Sequence, residues 1–172
     1  MEKKVIRLLQ YRRHELMNQL QIIQGYIQIN KLELAIDKIG EIVESYEQER
    51  RLFHLDIPKF TWWLFTFTLD KNWFPLTYEI LNFSQTIEHL DHTILSKSEE
   101  MFERLFNCVN HKQISEGKIK LIEQGENMTI QIELLGDFSL LQKRQFNVKT
   151  VSYTIENNKM TAIHSVALHK KV

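Results

Sequence analysis

The first stretch of the chain repeats apolar residues with a helical period. From Lys4 to about Gln28, Leu9, Leu16 and Ile23 recur together with Ile6, Leu20 and Ile27 as one seam of seven-residue spacing, uninterrupted by proline. The pattern predicts one long helix. Asn30 offers a break, after which Leu32, Ile36, Ile39, Val43, Tyr46 and Phe53 return at helical spacing to about Leu55. Two long helices joined by a short turn make an antiparallel hairpin. Leu8, Ile22, Tyr26 and Ile29 add apolar surface beside the first seam, more than a hairpin buries by itself. A second hairpin from another copy is therefore expected to complete a four-helix bundle in a homodimer.

Ile57-Pro58 ends the second helix, because proline lacks the donor that a continuing helix uses and restricts the residue before it. A different pattern follows. Phe60 to Trp73 is rich in aromatics, Thr77 to Leu81 reads as a strand, and His92 to about Asn110 reads as a helix with Ile94, Met101, Leu105 and Cys108 or Val109 inward. Four short runs then alternate with period two: Lys118 to Ile122, Met128 to Leu134, Thr150 to Ile155 and Ala162 to Leu168. Gly125-Glu126-Asn127 and Glu156-Asn157-Asn158-Lys159 suit hairpin turns between them. The predicted fold class is α+β, with a helical hairpin domain over 1–56 and an α+β domain over 57–172.

Composition narrows the chemistry only a little. The chain has 172 residues, and its 22 basic and 22 acidic side chains cancel, so no long-range field recruits nucleic acid or an anionic membrane. Cys108 is the single cysteine, which excludes an internal disulfide and suits a reducing compartment. The N-terminus, Met1 to Leu9, does not read as a secretion signal. The densest apolar stretch, Trp62 to Phe65, is far shorter than the roughly 20 residues a spanning helix needs. A cytoplasmic location is expected.

Projecting the first helix at about 100° per residue separates its faces. Leu9, Leu16, Leu20, Ile23 and Ile27 cluster on one side, while Arg7, Gln10, His14, Asn18, Gln21, Gly25 and Gln28 fall nearly opposite. The second face holds no acid and narrows at Gly25 to bare backbone, which suits close docking of another protein. An imidazole with a pKa of roughly 6.5 keeps one nitrogen lone pair near neutral pH and attacks phosphorus. Glu15 is a candidate acceptor for the other ring nitrogen, or for Arg12 or Arg13.

Arg13-His14-Glu15, Asn18, Leu20-Gln21, Ile23 and Gly25 together resemble the helical hairpin of the sporulation initiation phosphotransferase B family. Citrate- and malate-type sensor kinases carry a similar hairpin. The resemblance runs on through the second helix and the aromatic stretch from Pro58 to Phe74, and more loosely to the C-terminal end. It implies a parallel pair of protomers in a four-helix bundle, with His14 of each chain as an exposed phosphoryl acceptor. It places Gln10, Arg13, Glu15, Asn18, Gln21, Ile22 and Gly25 at the partner-binding face, under the receiver domain of a response regulator. It implies transfer from the aspartyl phosphate of a single-domain regulator to a DNA-binding regulator, with Mg²⁺ supplied by the receiver and no cofactor held by this chain.

The C-terminal domain is expected to be a degenerate α/β sandwich of the histidine-kinase ATPase type. Leu105-Phe106-Asn107-Cys108-Val109-Asn110 only faintly echoes the asparagine-rich helix of such kinases, and Leu135-Gly136-Asp137-Phe138-Ser139 has one glycine where a nucleotide lid has several. Autokinase activity is not expected. The alternative is a non-catalytic dimeric module, derived from a sensor histidine kinase, that binds regulators without exchanging phosphate. His89-Leu90-Asp91-His92 offers two imidazoles and a carboxylate but no third ligand at a recognisable spacing, so it reads as a helix entry rather than a metal site. His54, His111, His164 and His169 have no motif around them, and Lys170-Lys171 is too short for a nucleic-acid stripe. Trp62, Trp63, Phe65 and Phe67 read as core.

Overall fold

Asn30 turns the chain because it accepts a left-handed backbone, φ 55°, at little steric cost. The Lys31 amide reaches back to the Tyr26 carbonyl (2.8 Å) and the Asn30 amide to Ile27 (3.0 Å), closing the first helix with a Schellman pattern. The helices on either side are α1, Glu2–Gln28, and α2, Leu32–His54. The computed structural model describes residues 2–71, 74–109, 111–139, 144–156 and 158–168, and the chain divides into two compact units, 1–50 and 51–172. Trp73, Asn110, Asn157, His169 and Lys170-Lys171, named in the sequence reading, lie outside the described residues, as does the side chain of His111.

In the first unit the contact between helices is narrow. Leu8, Arg12, Leu16, Gln19, Ile23 and Tyr26 are half-buried on α1, at spacings of three and four that form one stripe. Across from them Ala35 is buried to 3% exposure, and Lys38, Ile42 and Glu49 are half-buried. No residue of α1 is fully buried. Leu9 (64%), Leu20 (48%) and Ile27 (49%) stay exposed on α1, as do Ile36 (67%), Ile39 (47%) and Val43 (56%) on α2.

The second unit opens with α3, Pro58–Lys71, where proline stands at a first-turn position that lacks a helical acceptor anyway. The aromatic stretch is therefore a helix. Phe60, Leu64 and Phe67 are buried on one side, while Trp62 stands at 36% exposure on the other and Phe65 is half-buried. The reading of these aromatics as core holds for Phe67 and for Trp63 and Phe65, which pack against the core, and is corrected for Trp62, whose position lies across the helix from 60, 64 and 67. Next come β1, Leu76–Leu81, and α4, Asp91–Phe106. The helix stops short of the expected Asn110: the Cys108 amide bonds to Leu105 and the Val109 amide to Phe106, so the last turn tightens to the three-residue pattern and ends.

Five further strands follow: β2 (Ile114–Gln124), β3 (Asn127–Gly136), β4 (Arg144–Val148), β5 (Val151–Ile155) and β6 (Lys159–Ala167). They join β1 in one mixed sheet of order β1-β2-β3-β6-β5-β4, with β1 parallel to β2 and the other pairs antiparallel. Alternate residues of the sheet, among them Ile119, Leu121, Ile130, Ile132, Val151, Tyr153 and Met160, share a core with Ile94, Met101, Phe102 and Leu105 of α4. This is an α+β fold with helices on one sheet face.

Two polar devices hold this unit. Asp91, 6% exposed, accepts the backbone amides of Lys59 and Phe60, both at 2.9 Å, so the first residue of α4 caps the start of α3. On the sheet's other face, Glu133 takes Lys159 at 2.8 Å and Lys120 at 3.7 Å, and Lys120 also meets Glu79 at 3.7 Å. Burial pushes the Glu133 carboxyl up, but the bonds from Lys159 and Gln131 and the charge of Lys120 outweigh it and hold the group below the usual glutamate range. Gly136 is fixed by close approach, because an added Cβ would lie 2.0 Å from the Gln113 carbonyl oxygen.

Asp91→Ala is expected to cost about 1–2 kcal/mol in urea unfolding, since it orphans two amides at once. The depressed Glu133 group contributes stability that is complete above the ordinary glutamate pKa, roughly 4.3, and is lost as pH falls below it. Glu133→Gln should therefore lessen the drop in urea midpoint between neutral and acid pH.

Candidate functional site at His14

His14 sits near the middle of α1 on the side away from the α2 contact, and its ring is exposed. The helix places residues four apart above one another and neighbours about 100° apart. Accordingly the ring's hydrogen bond comes from Asn18, whose Nδ2 donates to His14 Nδ1 at 3.2 Å. Glu15, expected to accept from the other ring nitrogen or from Arg12 or Arg13, stands about 100° around the helix from His14. Its charge acts on Tyr11, one turn back, whose phenol is pushed up by burial and by Glu15 against the opposing pull of Arg12.

Arg12 is likewise engaged elsewhere. Its guanidinium donates to the Glu49 carboxylate on α2 and stands 6.0 Å from the centre of the Tyr46 ring. Glu49 and Tyr46 were not foreseen as part of the site's support. The tie fixes α1 to α2 half a turn away from His14.

The remaining predicted residues lie along the same helix. Gln10, Arg13, Gln21 and Ile22 are exposed, Ile22 at 44%, while Asn18 and Gly25 are half-buried. An added Cβ at Gly25 would meet nothing within 4 Å, so the chain's own packing does not demand glycine there. Gln10, His14, Asn18, Gln21 and Gly25 thus form one polar strip, with Ile22 at its border and Arg13 and Glu15 on either flank. The strip and the exposed apolar stripe of Leu9, Leu20 and Ile27 occupy different sides of α1.

The His89–His92 segment does other work. Both oxygens of Asp91 are taken by the α3 amides, and His89 Nε2 donates to the Leu168 carbonyl at 2.7 Å. Among the described residues no cluster of three or more histidine, cysteine, aspartate or glutamate side chains could hold a metal ion. Asp137, in the stretch compared with a nucleotide lid, is held below its usual range by the hydroxyl and amide of Ser139. Its loop is closed on itself. No described helix is long and apolar enough to cross a membrane.

Residues 2–55 match the family described as sensor kinase SpoOB-type, alpha-helical domain. The sporulation initiation phosphotransferase B of Bacillus subtilis (strain 168) is 26% identical over 135 residues, 78% of this chain and 69% of that protein. Among solved structures, the Acinetobacter baumannii histidine kinase AdeS is similar with 13% identity and a TM-score of 0.38, covering 91% of this chain and 98% of the other. Histidine kinase ThkA, solved in complex with response regulator protein TrrA, has 9% identity and a TM-score of 0.41, over 98% of this chain and 65% of the other.

Proposed function

We propose, on the premise that residues 2–55 belong to the sensor-kinase SpoOB-type alpha-helical family, that this chain is a histidine phosphotransferase of a sporulation-type phosphorelay. It carries a phosphoryl group between the aspartates of two receiver domains through phosphohistidine at His14. The likeness to sporulation initiation phosphotransferase B supports a phosphorelay role. The observation that carries the finer reading is the exposed His14 imidazole, on a helix face without carboxylates and turned away from the hairpin contact.

Little machinery is needed at such a site. Phosphoryl transfer is driven by alignment and charge neutralisation, and in this reading the receiver brings the aspartyl phosphate and Mg²⁺. The chain presents a nitrogen in line with the P–O bond and a smooth surface for docking. Gln10, Asn18, Gln21 and Gly25 form that surface, with Arg13, Glu15 and Ile22 at its edges. The exposed stripes of α1 and α2 lie to the same side of an antiparallel pair, so they make one apolar face for the hairpin of a second copy. The resulting homodimer is a four-helix bundle with two outward histidines.

Incubation with a phosphorylated receiver and Mg²⁺ is expected to put an acid-labile label on this chain. His14→Ala should abolish it while sedimentation still gives twice the chain mass; label surviving the substitution overturns the assignment. Receiver binding without any label on the wild-type chain would instead mark a docking module. Gly25→Lys should slow transfer at least tenfold with unchanged helix content, and unaltered rates would refute the docking face.

A further inference from the structure

The two ring nitrogens of His14 have different surroundings. Nδ1 receives the Asn18 amide at 3.2 Å, whereas the ring as a whole is exposed. An amide N–H can donate only to a nitrogen lone pair, so in this arrangement the neutral ring carries its proton on Nε2. A nucleophilic Nε2 requires the other tautomer, with the proton on Nδ1. Asparagine serves both. A half-turn of its planar amide puts Oδ1 where Nδ2 stood, and the same side chain then accepts from Nδ1–H.

We propose that Asn18 is a positioning residue that follows the proton on His14 Nδ1, donating to the resting ring and accepting from it while Nε2 is bonded to phosphorus. This rests on the relay reading above and adds how the accepting nitrogen is selected. In the transfer, the Nε2 lone pair forms the N–P bond as the P–O bond to the donor aspartate breaks, and the carboxylate departs with the bonding pair. The proton remains on Nδ1. The ring becomes a phosphoimidazolium whose charge is met by Asn18 Oδ1 and by the phosphoryl oxygens. When a second aspartate attacks, the N–P pair returns to Nε2 and the ring leaves as neutral imidazole with its proton still on Nδ1. The proton therefore never has to leave the ring during either step. Residue 18 suits this role because it stands one turn above the ring, whereas Glu15 is a third of a turn around the helix.

The test uses the full chain with ¹⁵N-labelled histidine. Long-range proton–nitrogen correlation spectra of neutral His14 should show the Nε2–H pattern in the resting wild type, where Asn18 donates to Nδ1. Asn18→Asp, which only accepts, should move them to the Nδ1–H pattern, and Asn18→Leu to that of a solvated imidazole. Phosphoramidate, a small donor that needs no docking, should label His14 on the order of tenfold more slowly in Asn18→Leu, with Asn18→Asp largely restored. Identical nitrogen shifts in wild type and Asn18→Leu, or equal labelling rates, would overturn the proposal. Because neither measurement involves a receiver, it stays readable if the relay reading itself fails, and that reading is judged separately by receiver labelling of wild type and His14→Ala.

Discussion

Two helices in contact can cover only one stripe of each other, and α1 lives with the consequence. Its contact with α2 half-buries Leu8, Leu16, Ile23 and Tyr26 and closes with the Arg12–Glu49 pair, yet no side chain on it is fully buried. An apolar side chain gains about 1.5–3 kcal/mol from complete removal from water, and Leu9, Leu20, Ile27, Ile36 and Val43 realise only part of that. Within the single chain these side chains form an apolar face that the α1–α2 contact leaves uncovered.

The same constraint separates the helix into faces with different duties. One stripe goes to α2, a second to the apolar face, and what remains is the polar strip through Gln10, His14, Asn18, Gln21 and Gly25. An imidazole on that strip is held in place by its own helix, through Asn18, and asks nothing of the apolar face. The polar strip and the apolar face therefore do not compete for the same positions. The second unit shows a parallel thrift: Asp91, Gly136 and Asp137, which look like ligand or lid residues, are spent on backbone amides, close packing and a local turn.

Much of this was legible in the chain, and the failures have identifiable causes. The hairpin was readable because its seam keeps one period over many residues, and Asn30 because few side chains tolerate a left-handed backbone. The strands β2, β3, β5 and β6 were readable from alternation. Strand β4 was not, since Arg144-Gln145-Phe146-Asn147-Val148 has polar residues at three of five positions and pairs on one side only. The helix α3 was hidden by aromatics on both of its faces. At the site, helical spacing placed His14 and Asn18 on one polar face, but it did not announce the hydrogen bond between them, and it leaves Glu15 about 100° around the helix from the ring. Arg12–Glu49 joins residues 37 apart, and the Asp91 cap joins residues 31 and 32 apart, so no local pattern announces them.

The parallel pairing of β1 with β2 carries a consequence for synthesis. The ribosome delivers Leu76–Leu81 well before Ile114–Gln124, and at roughly 5–20 residues per second the gap lasts about 2–7 s. During that interval the nascent strand has no partner of its own. Tyr78 and Ile80 are apolar neighbours in that segment, and Glu79 between them puts a charge there of the kind that discourages another polypeptide from pairing with an unpaired strand.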